Sequence, residues 1–142
     1  LSQRASSFYP SSSLRHDTRR LLAAAIAGME AKKAEDIRVL DLSGQLTAPT
    51  DAYLIGHAGS HRQVEAIADA VEALVIQHRQ EKPWHREGSE NKAWILLDYV
   101  DMVVHIMLED VRRFYAIEEL WADAPALEPT RFIQDLSPKT QE

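Results

Sequence analysis

AWILLDYVDMVVHIML, residues 93–108, holds two apolar, β-rich runs joined through Val100 and Asp101. A parallel pair of strands needs a crossover of about a dozen residues, so a connection this short makes the two runs an antiparallel pair. That pairing gives the sheet an antiparallel portion. The same stretch sets Asp98, Tyr99, Asp101 and His105 beside it. These groups suit either chemistry or a surface that grips a partner.

Working outward, SHRQVEAIADAVEALVIQHRQ (60–80) carries Val64, Ile67, Ala68, Val71, Leu74 and Val75 at helical spacing. Ser60 stands at its N-cap, with Gln63 three residues on as in a capping box. Before it, IRVLDLS (37–43) and Ala52 to Ile55 read as strands, stopped by Gly44 and by Gly56 or Gly59. A helix over 14–34 presents Leu14, Leu21, Leu22, Ala25, Ile26 and Met29. Trp84, between Pro83 and Gly88, marks an edge strand. EDVRRFYAIEELWAD places Val111, Phe114, Ile117, Leu120 and Trp121 on one face of a last helix, which the prolines of APALEP end. The order is helix, strand, strand, helix, edge strand, strand, strand, helix. It predicts an α/β fold: a mixed five-stranded sheet flanked by helices. Residues 14–125 form a single domain, with a flexible N-terminal segment over 1–13 and a C-terminal tail over 126–142.

The 142 residues are 45% apolar and 27% charged, as in a water-soluble globular domain, and no apolar stretch reaches the roughly 20 residues of a membrane span. There are no cysteines. Disulfides and thiolate chemistry are thereby excluded, and a reducing, cytoplasmic setting is expected. The net charge is −6, and residues 21–142 alone hold 12 Lys and Arg against 21 Asp and Glu. Such a body repels bare nucleic acid and attracts a basic protein surface.

Several constellations compete with that binding role. GHAGSHRQ (56–63) puts two glycines ahead of a helix start, as an anion cradle would, but has neither GxxxxGK[ST] nor GxGxxG. Its plainer reading is a tight strand-to-helix turn. His57, His61, His78, His85 and His105, with Asp98 or Asp101, supply ligand types for zinc without HExxH spacing. Asp98 and Asp101 suit Mg²⁺ or acid–base work, and equally a polar strand end and turn. Trp94, Tyr99, Tyr115 and Trp121 are large amphipathic surfaces, favoured in binding hot spots and in cores alike, with Trp121 assigned mainly to the core. Arg112 and Arg113, with Glu118 and Glu119 on later turns, read as a solvated or ion-paired helix surface.

In combination, AKKAEDIRVLDLSG, TDAYLIGHAGSHRQVEAIADAVE, EKPWHREG, AWILLDYVDMVVHIML and VRRFYAIEELWADAP closely resemble the ribosomal silencing factor family, also called Iojap-related, over about residues 31–125. The strongest matches are Trp94, Leu97, Asp98, Tyr99, Val104, His105, Arg113, Tyr115, Leu120 and Trp121. The chain departs from the family at His57, Ala58, Gly59 and Ser60, where a small residue or Ser followed by Gly-Thr-Ser is usual.

The resemblance implies a nucleotidyltransferase-like topology without transfer activity, and neither cofactor nor metal. It implies binding to the large ribosomal subunit through its ribosomal protein fourteen, and steric blocking of subunit joining. Trp94, Asp98, Tyr99, Asp101, His105 and Tyr115 are the residues expected to bind that partner. No membrane and no sequence-specific nucleic acid are expected as partners, and a homodimer is a further possibility. The competing functions are Mg²⁺-dependent nucleotidyl or phosphoryl transfer, and a homodimeric scaffold or ribosome assembly factor.

Overall fold

The computed structural model describes residues 14–136; the expected flexible segment 1–13 lies outside the described residues. Chain order begins with helix α1 (His16–Ala31), strands β1 (Glu35–Asp41) and β2 (Ala52–Ala58), and helix α2 (His61–Arg79). Three strands follow, β3 (His85–Glu87), β4 (Trp94–Asp98) and β5 (Met102–Leu108). Two short helices, α3 (Glu109–Tyr115) and α4 (Ile117–Leu120), lead to strand β6 (Ala126–Leu127) and a 3-10 helix over Pro129–Asp135.

The sheet is mixed, in the order β3-β4-β5-β2-β1-β6. As the short connection requires, β4 and β5 are antiparallel, with Trp94 opposite Met107 and Leu96 opposite His105. The turn between them is tied by Asp98, whose Oδ1 accepts from the Val100 amide at 2.8 Å, and by Thr50, whose hydroxyl donates to the Val100 carbonyl at 2.7 Å. A parallel pairing joins β2 to β5, in register from Ala52 with Met102 to Ala58 with Leu108. The chain between them contains α2 and two strands, ample for a crossover.

Among the described residues six strands are present where five were expected. The sixth, β6, pairs antiparallel with β1, Val39 with Leu127 and Leu40 with Ala126. Two residues carry no readable alternation, and they lie in the segment taken for a tail. Beyond them Phe132, 1% exposed, packs into the main core, with the Arg19 guanidinium 4.9 Å from its ring centre and Arg19 ion-paired to Asp135 at 3.1 Å. The sheet and core thus continue past Pro125.

Alternation divides the sheet into two faces. Under α1 and α2 lie Val39, Leu54, Ile95, Leu97, Tyr99, Val104 and Ile106, together with Leu22, Met29, Ile67 and Val71 from the helices. The helices meet at Gly28, where an added Cβ would stand 2.6 Å from the Val71 Cα. On the opposite face Leu40, Ile55 and Met107 form a smaller core with Ile117 and Ala124, flanked by Tyr53, Trp94, Val111 and Trp121. The first face is closed by two helices, the second only in part.

The last helix does not run through as its apolar spacing predicts. Ala116 adopts a left-handed conformation, φ 43° and ψ 50°, and divides α3 from α4. This break rotates the two halves of the pattern out of phase. Ile117 is buried, while Phe114 is 79% and Leu120 75% exposed.

Candidate functional site

On the partly covered face, Trp94, Leu96 and Asp98 project from β4 beside Val103, His105 and Met107 of β5. The Trp94 indole N–H donates to His105 Nδ1 at 3.1 Å. Trp94 also lies against Tyr115 of α3, ring centres 5.1 Å apart, and Tyr115 meets Phe114 edge-on at 4.9 Å. Deeper in the same face, Tyr53 packs against His105 at 4.5 Å and Trp121 at 6.5 Å. Burial pushes the His105 imidazole down to about 4 and raises the Tyr53 phenol. Both are therefore neutral near pH 7.

Beside Trp94 and Tyr115 runs a groove of about 560 Å³, lined also by Leu96, Val111, Glu87 and Glu90. Exposed Phe114, edge-on to Tyr115, extends its apolar rim. Glu109 and Asp110 are exposed on α3 and ion-paired to Arg113, and Glu109 and Glu119 line a separate cleft with Arg112 and Arg113. The groove itself is an aromatic patch with Glu87 and Glu90 as its carboxylates.

The six residues singled out from sequence do not gather at one place. Trp94, His105 and Tyr115 form a contiguous set, and Asp98 shares their face. Tyr99 does not, because the alternation of β4 turns it under the helices, where it is 3% exposed and burial holds its phenol far above the usual range. It has no surface to offer a partner, which corrects its assignment as a contact. His105, 4% exposed, is likewise too deep for direct contact. Asp101 sits at the β4–β5 turn and is already ion-paired to Arg15 at 3.0 Å.

Of the two readings for Arg112, solvated or ion-paired, the structure has the ion-paired one, and buried. It is 6% exposed, and its guanidinium donates to both carboxylate oxygens of Glu118 (3.3 and 2.8 Å), to the Asp36 carbonyl at 2.8 Å and to His57 Nδ1 at 2.9 Å. One side chain so fastens α3, α4, the start of β1 and the end of β2, and it holds the turn at Ala116. In the glycine-containing turn, Ser60 caps α2 by accepting from the Gln63 amide at 3.1 Å. The Gln63 side chain does not complete a capping box; it donates to the Lys32 carbonyl at 3.2 Å and braces α1. His61 lies 2.8 Å from the Asn91 carbonyl and His85 2.6 Å from Glu87, so the histidines are dispersed. Among the described residues, no three His, Asp or Glu side chains converge as a metal site.

The family profile described as ribosomal silencing factor during starvation matches residues 15–142. The chain belongs to the ribosomal silencing factor family. A ribosomal silencing factor of Halalkalibacterium halodurans is 38% identical over 108 residues, 76% of this chain and 91% of its own. A murine relative, named for mitochondrial assembly of the ribosomal large subunit, is 31% identical over 98 residues, 66% of this chain and 41% of its own. A crystal structure from Chromobacterium violaceum superimposes with a TM-score of 0.67 at 34% identity, covering 77% of this chain and 88% of that one.

Ribosomal silencing factors are non-catalytic scaffolds. Phe114 was missed beside Tyr115 because the apolar spacing assigned it to the core, and the break at Ala116 turns it outward. Local spacing gives no signal of this, since adjacent residues such as Ile67 and Ala68 are both buried on α2. Among the described residues no helix is long and apolar enough to cross a membrane.

Proposed function

We propose that this ribosomal silencing factor binds the large ribosomal subunit through its ribosomal protein fourteen and blocks subunit joining by the volume it occupies. The observation that carries the reading is the aromatic groove of Trp94 and Tyr115, with Phe114 edge-on to Tyr115 and the carboxylates Glu87 and Glu90 in its lining. Carboxylates in the lining attract a basic surface and speed the encounter, while aromatic rings supply the desolvated contact that sets residence time. Asp98, on the same face, is placed to accept from a Lys or Arg of the partner. Tyr99 has no contact role, and Asp101 takes part only by releasing Arg15. The factor works in the cytoplasm, where ribosomes are joined.

The test is sedimentation of the protein with separated subunits, followed by a subunit-joining assay. Selective association with the large subunit and fewer joined ribosomes are expected, and Phe114→Ser with Tyr115→Ser should weaken association at least about tenfold. Unchanged association in that variant removes the patch as the docking site. The murine relative's name favours one further reading, a role in building the large subunit. Association that leaves joining unaffected would select it.

A further inference from the structure

We propose that His105 is a positioning residue for docking: its Nδ1 accepts the indole N–H of Trp94 and holds that ring, with Tyr115 packed against it, at the angle presented to the partner. This rests on the docking face proposed above and adds the part that orients it.

The hydrogen bond determines the tautomer. Because Nδ1 accepts from the Trp94 indole at 3.1 Å, the imidazole proton is on Nε2. That Nε2 is buried and has no hydrogen-bond partner among the described residues. A buried donor left unmet is costly, so an apolar ring at this position would serve the core better. What the histidine provides that Phe cannot is an acceptor at the δ position. Trp94 needs one because its ring is only half-buried, packed on its inner side and open along the groove. Without a directional tether the indole is free to take other rotamers. Tyr53 stands edge-on to the imidazole at 4.5 Å and backs it from β2, so the acceptor itself is held rigidly. The restraint passes outward through Trp94 to Tyr115 at 5.1 Å, which is 54% exposed. A surface aromatic that keeps one orientation before binding loses less freedom on docking.

The experiment combines nuclear magnetic resonance of the free protein with large-subunit binding, using His105→Phe, His105→Asn and Trp94→Ala. His105→Phe keeps a flat ring, lacks the acceptor and removes the unmet donor. It should fold with a thermal midpoint at or above that of the parent, lose the slow solvent exchange of the Trp94 indole proton, and bind the large subunit about tenfold more weakly. His105→Asn, whose side-chain oxygen stands near the place of Nδ1, should restore both exchange protection and affinity. A merely structural histidine would move stability and affinity together. Parent-like affinity in His105→Phe while Trp94→Ala is weakened overturns the positioning role and leaves the docking face standing. Equal weakening by Phe and Asn overturns it too. Unchanged binding in Trp94→Ala is a different result and sinks the docking face itself, the positioning role with it. Should His105→Phe fail to fold, the unsubstituted protein decides: an indole proton of Trp94 that exchanges as fast as a free indole overturns the proposal.

Discussion

His105 is buried against Trp94 of β4 and Tyr53 of β2, and the titratable neighbour packed on it, Tyr53, is uncharged at neutral pH. Burial holds the imidazole at about 4 against an ordinary value of 6.5, so between those values the unfolded chain binds a proton that the folded chain does not. Stability from this site is therefore complete above pH 6.5 and is lost as pH falls towards 4, by about 3 kcal/mol at roughly 1.4 kcal/mol per unit. Urea unfolding at pH 7 and pH 4.5 should show that decline, and His105→Phe should flatten it by a corresponding amount. An unaltered slope in the variant would assign the decline to other groups. In the sequence His105 is plainly a polar residue inside a strand. Its hydrogen bond to Trp94 is not legible there, because the pairing depends on the register of the β4–β5 turn, and a slip of one residue would send His105 to the opposite face.

At the scale of elements, α2 was readable because Val64, Ile67, Ala68, Val71 and Val75 keep one period over its whole length, and all five are buried. The β4–β5 pair was readable from loop length alone. The α3–α4 region was not, because its shape is decided by Arg112 reaching residues 55 and 76 positions away in sequence, His57 and Asp36. Local periodicity holds no trace of such contacts. Arg112→Met keeps the bulk and removes the tie, leaving the Glu118 carboxylate and the Asp36 carbonyl without their donor. A loss of about 3 kcal/mol is expected, together with faster hydrogen exchange through α4. Retained protection in α4 would show that Ile117 and Trp121 hold the segment unaided.

For the whole molecule, the decisive addition is the segment after Pro125. Leu127 and Phe132 are both in the main core, so the domain is not complete at residue 125. A chain ending there should lose at least about 3 kcal/mol, since removing a buried Phe alone costs that much, and circular dichroism melts of the two lengths would measure it. Equal midpoints would demote β6 and the 3-10 helix to a loosely held appendage. The segment went unread because a two-residue strand is too short to alternate, and the apolar residues Phe132, Ile133 and Leu136 do not themselves show which of them is buried. Only Phe132 is, and Ile133 is 68% exposed.

The ion pair between Arg19 and Asp135 brings the two ends of the described chain together on the helix-bearing side of the sheet, with Trp94 and Tyr115 on the reverse. A fluorophore or surface tether placed near either end is thereby carried behind the molecule. Immobilised through position 19 or 135, the described part of the protein would turn its aromatic side away from the support.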